Sequence, residues 1–125
     1  MSADLAFQTK IIATIKAALP GVTVTAHPVE NLALPYIHVH ANGVVRDFPI
    51  GHELECVIRI QDKSEGPHLV KGYQHAIRQV LHAQDFQQDG WNLNVVREAF
   101  ADTIFDPDEK TWQGSQRITA IAVLI

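Results

Sequence analysis

Two segments in the first half of the chain alternate apolar and polar residues, which is the pattern of strands that bury one face of a sheet. They span residues 36–41 and 53–60. The side chains predicted to face inward are Ile37, Val39, Ala41, Leu54, Cys56, Ile58 and Ile60, and those predicted to face outward are His38, His40, Glu53, Glu55 and Arg59. Residues 46–52 between the strands contain Pro49 and Gly51, and this connection is predicted to be too long for a tight hairpin turn.

Helical spacing of apolar residues predicts one helix before this strand pair and one after it. The first spans residues 4–19, and Pro20 and Gly21 end it. Its predicted apolar stripe is Leu5, Ile12, Ile15 and Leu19. The second helix begins near Pro67, which suits a first helical turn, and runs to about His82. Its predicted stripe is Leu69, Val70, Tyr73, Ala76, Ile77, Val80 and Leu81.

The rest of the pattern predicts strands and polar turns. These are a short strand at 22–25, a loop at 27–35, a break at 62–67 and a polar turn at 84–90. The chain is then predicted to close with strands over 91–105 and 112–125, joined by a turn at 106–110. The order helix, strands, helix, strand hairpin predicts an α+β fold, an antiparallel sheet with two helices packed on one face. Residues 1–125 are predicted to form a single domain.

The last predicted strand is apolar on both faces, which a sheet covered on one face does not require. The residues predicted to face the helices are Ala120, Ala122 and Leu124. Ile121, Val123 and Ile125 then face the opposite side, where polar residues normally meet solvent. We expect another layer, or another copy of the chain, to cover these three residues, so this strand is a candidate for self-association.

Composition excludes several classes of protein. One cysteine, Cys56, permits neither a disulfide framework nor a cysteine-based zinc site within one chain. A net charge of −4 argues against a protein that grips nucleic-acid phosphates. The sequence has no apolar run of the roughly 18 residues that a membrane span requires, so no membrane partner is predicted. The amino terminus lacks the basic start of a secretory signal, and we expect the chain to be made in the cytoplasm.

Seven histidines make a metal site the main chemical alternative. His38 and His40 lie two residues apart on one predicted strand face, and Glu55 of the next strand would have to complete their ligand set. Three more, His68, His75 and His82, recur along the second helix. They are separated by about 10 Å at roughly 1.5 Å per residue, which is too far to share one ion. Exposed or interface positions account for these histidines without a metal.

The acidic residues do not define a catalytic centre. Asp106, Asp108 and Glu109 share one predicted turn, where such residues support turn geometry and solubility. Glycosidases need two carboxylates at a set separation in a cleft, and nothing in the pattern indicates a cleft. Neither a nucleophile elbow nor a glycine-rich phosphate loop is present. The sequence therefore predicts no catalytic residue, no cofactor and no resident metal, and it favours a protein whose role is structural.

The order of motifs along nearly the whole chain resembles the phage tail terminator, or tail completion, proteins. The resemblance rests on a helix headed by residues 2–5, Leu34-Pro35-Tyr36-Ile37, and the alternating strand 54–60. The glycine-led helix ending at Leu81 and a closing hairpin are similar too. That hairpin contains Val96-Arg97, the turn Asp106-Pro107-Asp108, and Gly114-Ser115-Gln116-Arg117-Ile118. Family members often carry an aromatic residue near the end of the central strand, where this chain has Gln61.

This resemblance implies a structural, non-enzymatic role in the tail or neck of a long-tailed phage or gene transfer agent particle, assembled in the host cytoplasm. Tail terminators form a homo-oligomeric ring, usually a hexamer, that ends polymerisation of the tail tube protein. The ring joins the tail to the head-side connector or stopper, and DNA passes through it without sequence-specific binding. A net-acidic chain suits such a conduit, because phosphate contacts would hold the DNA in place.

Two polar loops are the predicted contacts with neighbouring subunits, the tube or the connector. The candidate residues are Arg46, Asp47, Phe48, Ile50 and His52 in the first loop and Asp106, Asp108, Glu109 and Lys110 in the second. Another neck component, a stopper or an adaptor, is the nearest alternative function. A small metal-binding or enzymatic module using His38, His40 and Glu55, and a monomeric ligand-binding domain, remain open from the sequence.

Overall fold

A computed structural model describes residues 2–26, 34–49, 51–63 and 66–125. The elements are the helix α1 (Ala3–Ala18), the strands β1 (Thr23–Thr25), β2 (Tyr36–Phe48) and β3 (Gly51–Asp62), the helix α2 (His68–Leu81), and the strands β4 (Gln84–Gln88), β5 (Trp91–Asp106) and β6 (Thr111–Leu124). The fold is mixed α/β and consists mostly of sheet. In the described ranges, neither helix is long and apolar enough to cross a lipid bilayer.

All six strands belong to one sheet in the order β1-β2-β3-β6-β5-β4. The prediction of a purely antiparallel sheet was wrong at one edge, because β1 pairs with β2 in parallel, with Thr23 opposite Tyr36. The other four pairings are antiparallel. The predicted polar turn at 84–90 was also wrong, since most of it forms the edge strand β4. That segment has one large apolar residue, Phe86, which packs against the core. Backbone pairing with β5 holds the rest of the segment in the strand conformation.

The alternation predicted for β2 and β3 is confirmed by burial. Ile37 and Val39 lie opposite Ile60 and Ile58, and all four are fully buried. Burial of apolar side chains at roughly 25 cal/mol per Å² makes this inner face the main stabilising contribution of the strand pair. The outward histidines of β2 are half-buried or exposed, as their side of the strand predicts.

Helix α1 matches the predicted stripe only in part: Ile15 is buried, and Ile12 and Leu19 are partly buried against the core. Its core residues are Ala3, Phe7, Ile11 and Ile15, which recur every fourth position. Leu5, placed in the stripe from the sequence, is 47% exposed. Apolar and alanine residues occur on several sides of this helix, so periodicity alone did not select the buried side; packing against the sheet and α2 did.

Helix α2 lies close against β6. Val70, Gln74, Ile77 and Leu81 are its buried residues. A Cβ added to Gly114 of β6 would lie 2.6 Å from Gln74 Nε2 and 2.7 Å from Val70 Cγ1, so only glycine permits this approach. Both helices contact each other and contribute to one hydrophobic core with the inner-facing strand residues.

The connection between β2 and β3 is short. Phe48 of β2 pairs with Gly51 of β3, so only positions 49 and 50 separate the strands. The prediction of a long connection over 46–52 was therefore wrong. The apolar–polar alternation of β2 ends near Ala41, but the strand continues to Phe48. Its pairing with β3 shifts register on both sides of Val44, and Gly43 has a φ of 86°. Such bulges add residues to a strand without ending its pairing.

Candidate functional site

The two predicted contact loops lie at opposite ends of the sheet. His52, beside the β2–β3 turn, pairs with Ala122 near the end of β6. Asp106, beside the β5–β6 turn, pairs with Thr111 at the start of β6, next to the end of β3. Because β6 runs the length of the sheet between them, the two hairpin tips cannot form one site. They are two separate surfaces.

At the β2–β3 tip, the polar residues pair with one another. Arg46 Nε lies 3.2 Å from a Glu53 carboxylate oxygen, and its guanidinium lies 5.5 Å from the Phe48 ring centre. His52 Nδ1 and Asp47 Oδ1 are 2.5 Å apart. Exposed pairs of this kind contribute about 0–1 kcal/mol each, so they order the tip more than they stabilise the fold. Ile50, the remaining candidate of this loop, lies outside the described residues.

At the β5–β6 tip, one acid shapes the turn and the others point to solvent. Asp106 Oδ1 accepts the backbone N–H groups of Asp108 and Glu109 at 3.0 and 3.4 Å. Its second oxygen accepts from Gln113 Nε2 at 3.3 Å. The side chains of Asp108, Glu109 and Lys110 are exposed. Asp106 thus has a structural role in the turn, and the other three are the residues that this tip offers to a partner.

The outer face of β6 is less polar than a solvated sheet face usually is. Ile121 and Val123 are half-buried on the side opposite the buried Ala120 and Ala122. Val123 lies against Gly51, where an added Cβ would be 3.1 Å from Val123 Cγ2. Ile125 is 71% exposed. The predicted alternation is present, and self-association through these residues stays a prediction.

Leu124 differs from its predicted position in the core. It is 67% exposed although Ala122, two residues earlier on the same face, is fully buried. The end of β6 therefore extends beyond the part of the sheet that the helices cover.

The proposed ligands of a metal site do not converge. The rings of His38 and His40 stack with their centres 6.3 Å apart, and His38 Nε2 lies 3.2 Å from the Ala26 carbonyl oxygen. The Glu55 carboxylate accepts from Asn42 Nδ2 at 2.8 Å and lies 3.6 Å from Arg117 Nε. Across 2–26, 34–49, 51–63 and 66–125, histidine, cysteine and acidic side chains form no group of three suited to a metal ion.

Cys56 is a core residue and not a reactive one. It is fully buried on the inner face of β3. Burial raises the pKa of its thiol to about 12, with a smaller raising effect from the charge of Glu55 and an opposing hydrogen bond from the backbone of His40. The thiolate, which is the nucleophilic form, is therefore suppressed at neutral pH.

The sequence prediction missed a shallow polar groove between α2 and β5. Its lining residues are Lys71, Gln74, Arg78, Ala101, Asp102 and Thr103. Gln74 spans the groove floor, donating to the Asp102 carbonyl at 2.8 Å and accepting from Thr103 Oγ1 at 2.9 Å. Arg78 pairs with Glu98 of β5, and this contact raises the pKa of the Arg78 guanidinium. These contacts attach α2 to β5.

The distal part of the β5–β6 hairpin was also missed as a surface. Phe100 and Ile104, on the outer face of β5, are 51% and 56% exposed, and Phe105 on the inner face is 46% exposed. Phe105 contacts the Trp112 ring at a centre distance of 5.1 Å. Apolar residues on both faces of 100–105 were the sequence signal for this exposed apolar surface.

Comparisons with known proteins identify the fold. No protein-family model and no curated protein matches the sequence. Among solved structures, the chain is similar to one described as "Virion of native gene transfer agent (GTA) particle", with a TM-score of 0.79 and 16% identity. The match covers 98% of this chain and 99% of that one. This chain therefore has, over its whole length, the fold of a protein chain found in a gene transfer agent virion.

Proposed function

We propose that this chain is a structural subunit of a phage or gene transfer agent particle, and specifically its tail terminator. The observation that carries the proposal is the shared fold, which spans 98% of this chain and 99% of a chain in a gene transfer agent virion. The order of motifs along the sequence independently resembles the tail terminator family. The chain acts by its shape and not as an enzyme.

The placement of the two hairpin tips supports a role between two other components. One tip carries the Arg46–Glu53 and Asp47–His52 pairs, and the other carries exposed Asp108 and Glu109. Because the tips lie at opposite ends of the sheet, a subunit in a ring presents one to the tail tube protein and the other to the head-side connector or stopper. The ring, a hexamer by the family resemblance, ends tube polymerisation and sits at the neck of the virion after assembly in the host cytoplasm.

The outer sheet face suits a conduit for DNA. In this proposal both helices cover the inner face, and the outer face meets the lumen or a neighbouring subunit. Several of its charges are paired within the chain: Arg46 with Glu53, and Arg117 with Glu55. Arginines held by carboxylates attract phosphates less than isolated ones, so DNA slides past without being gripped.

The direct test uses tail tubes assembled without heads. Purified protein is added to the tubes, followed by fresh tube subunits, and tube length and end density are measured by negative-stain electron microscopy. We expect density at one end and no growth from that end, whereas tubes without the protein continue to lengthen. Binding to the head connector but not to headless tubes would contradict the terminator role and favour a stopper or adaptor.

A further inference from the structure

Each side edge of the sheet has a short strand that projects at one end only. On one side the last strand is β1, which pairs only with residues 36–38 of β2. On the other side the last strand is β4, which pairs only with residues 91–96 of β5. Among the described residues, 42–48 of β2 and 99–106 of β5 have a neighbouring strand on one side only. We call these two segments the β2 recess and the β5 recess.

Pairing across the sheet places β1 level with the β5 recess. The row that contains Val24 of β1 continues through Ile37, Ile60 and Gly114 to Thr103 of β5. At this end of the sheet, one side therefore has a projecting strand where the other side has a recess.

The opposite end of the sheet shows the reverse arrangement. A second row contains Asp47 in the β2 recess, His52, Ala122, Leu93 and Phe86 of β4. The pairing of residues 46–48 with β3 follows the last register shift of β2 and is regular, so the level of this row is well defined. Two copies that stand side by side at the same height thus set a projecting strand against a recess at both ends.

Strand directions allow pairing at both ends. β1 is parallel to β2, and three antiparallel steps lead from β2 through β3 and β6 to β5. β5 of one copy therefore runs antiparallel to β1 of a copy beside it. β4 runs opposite to β5, so it runs parallel to β2 of that copy.

The faces of the sheet are compatible as well. Thr103 faces the helices, since its hydroxyl donates to Gln74 Oε1 of α2 at 2.9 Å. Val24, in the same row, faces the helices too and is buried in the core. Facing residues of paired strands must lie on the same face of a sheet, and these two residues do.

We propose that copies of this chain join edge to edge, without a shift along the strands. β1 of one copy pairs with residues 102–104 in the β5 recess of its neighbour, and β4 of that neighbour pairs with residues 46–48 in the β2 recess of the first copy. The occupant of both recesses is a second copy of the chain. This deepens the proposed function by naming the contact between subunits, and it rests on that function for the closure of the ring.

The contact between β1 and β5 covers an exposed apolar side chain. Ile104 is 56% exposed and projects from the outer face, because Thr103 before it faces the helices. In the unshifted register Ile104 lies opposite Thr23 of the other copy, and Thr23 is itself opposite Tyr36. Thr23 and Tyr36 also project outward, since the residues that follow them, Val24 and Ile37, are buried. The threonine methyl group and the tyrosine ring therefore cover Ile104.

Charge complementarity supports the contact between β4 and β2. Asp85 precedes Phe86, so it lies level with Arg46 of the other copy. Both are exposed, and both project from the outer face, since Phe86 packs against the core and Arg46 lies opposite Glu53. Arg46 already pairs with Glu53 at 3.2 Å. A guanidinium has five N–H donors, so it can bind a second carboxylate.

Neither recess has the residues that usually protect a strand edge. Natural edge strands are commonly blocked by proline or lysine. Residues 42–48 and 99–105 contain neither of these residues. Because the two edges that meet are different surfaces, each added copy leaves one edge of each kind unused until a ring closes.

The first test places one cysteine on each edge of the same chain. In Thr23→Cys/Ile104→Cys the thiols face each other between copies, whereas within a chain they are four strand spacings of about 4.8 Å apart, too far for a disulfide. Cys56 is buried and stays a thiol. The protein is oxidised with diamide and separated on a non-reducing gel. We expect a ladder of linked dimers, trimers and larger species that a reducing agent removes.

Two controls make this result specific. Val45→Cys/Ile104→Cys is the matched control, because Val45 is 57% exposed and lies on the same side edge as Thr23 but toward its other end. Ile104→Cys alone detects a symmetric contact between two β5 strands, which would give a linked dimer. We expect neither control to be linked. Absence of the ladder, an equal ladder in the Val45 control, or a dimer from the single variant overturns the proposal.

The second test reverses the charges at the other contact. Arg46→Glu and Asp85→Lys are measured alone and as an equimolar mixture by native mass spectrometry, up to several hundred micromolar. We expect a wild-type assembly of several 13.9 kDa chains and association that is about tenfold or more weaker for each variant alone, where like charges meet. In the mixture every contact joins opposite charges, so assembly is restored.

Folding is checked separately, because Asp85 Oδ1 also accepts the Val95 N–H at 2.9 Å. Melting temperatures of both variants are compared with that of the wild type. A folded variant that assembles like the wild type overturns the proposal, and so does a mixture that assembles no better than its components. A wild type that stays monomeric throughout the concentration range also overturns it.

These outcomes separate the contact from the function. If the cysteine ladder is absent but the wild type caps tail tubes, the edge contact is wrong and the terminator role stands. If the ladder and the charge rescue are both found but the protein neither binds tubes nor stops their growth, the contact is right and the terminator role is wrong.

Discussion

At the scale of single residues, burial decides what the chemically active side chains do. Cys56 is buried on the inner face of β3, where it contributes apolar contact and not reactivity. Glu55, its neighbour, projects to the other face and is held by Asn42 and Arg117. The alternation of the strand thus places these two neighbouring residues on opposite faces, Cys56 in the core and Glu55 in a polar network.

The raised pKa of Cys56 predicts a loss of stability in alkaline solution. Burial raises the thiol pKa from 9.0 to about 12. Between these values the unfolded chain releases a proton that the folded chain retains, so the free energy of unfolding falls as pH rises above about 9, by up to about 1.4 kcal/mol per pH unit. Below pH 9 both states hold the proton and this contribution to the pH dependence disappears.

Urea unfolding of the wild type and of Cys56→Ala at pH 8, 9, 10 and 11 measures this effect. The variant is less stable at pH 8 because it loses buried volume, but its stability declines less steeply above pH 9. Parallel curves for the two proteins would show that Cys56 does not titrate differently on folding.

At the scale of elements, the buried side of α1 depends on its partners and not on its own periodicity. The sequence indicated Leu5, Ile12, Ile15 and Leu19, whereas the core contains Phe7, Ile11 and Ile15. Ile15 belongs to both sets, and Ile12 and Leu19 pack against the edge of the core, so the predicted stripe is displaced around the helix axis and only Leu5 lies outside the buried side. The alternation of β2 and β3 was predictable because a strand has only two sides, one of which must be buried.

Two substitutions distinguish the observed stripe of α1 from the predicted one. Ile11→Ala removes a fully buried side chain and is expected to lower the free energy of unfolding by about 2–5 kcal/mol. Leu5→Ala removes a side chain that is 47% exposed, and its expected effect is within about 0.5 kcal/mol. Chemical denaturation of both variants measures the difference, and the reverse order of effects would contradict the observed rotation.

Edge strands are the elements that sequence reasoning recognised least well. β4 contains three glutamines and one aspartate among five residues, a composition that reads as a turn. It is ordered because β5 offers it a backbone edge and Phe86 reaches the core. A ladder of main-chain hydrogen bonds needs no particular side chains, so the amino-acid composition of a segment does not reveal whether it pairs with a neighbouring strand.

At the scale of the whole molecule, the two hairpin tips divide the predicted contact residues between opposite ends. This arrangement changes how the acidic turn should be tested. Asp106 accepts two backbone N–H groups of its own turn, so its replacement would alter the turn as well as the charge. Asp108 and Glu109 are exposed and carry the charge of this tip outward.

Under the proposed terminator role, reversing the charge of this tip is expected to impair particle assembly without unfolding the chain, because the exposed acids would contact the tube or the connector. In Asp108→Lys/Glu109→Lys, the turn bonds of Asp106 are retained because they use backbone groups of residues 108 and 109. We expect an unchanged melting temperature, an unchanged oligomeric state and a reduced titre of infective or transducing particles.

The neutral variant Asp108→Asn/Glu109→Gln is the matched control for that experiment. A normal titre for the charge-reversed protein would exclude this tip as a contact with the tube or connector. An equal loss of titre in both variants would indicate that specific side-chain contacts, and not the sign of the charge, are recognised.

Local patterns of apolar and polar residues were sufficient to predict two helices, the alternating strands β2 and β3, and the closing hairpin of β5 and β6. The same patterns showed that β6 is apolar on both faces. Contacts in the folded chain fixed which side of α1 is buried, that β1 is parallel, and that only two positions separate β2 from β3. Among the described residues, they also fixed that β1 pairs only with residues 36–38 of β2 and β4 only with residues 91–96 of β5. Alternation is set by the geometry of one strand, whereas helix rotation, strand order and unpaired edges depend on contacts between residues distant in the chain.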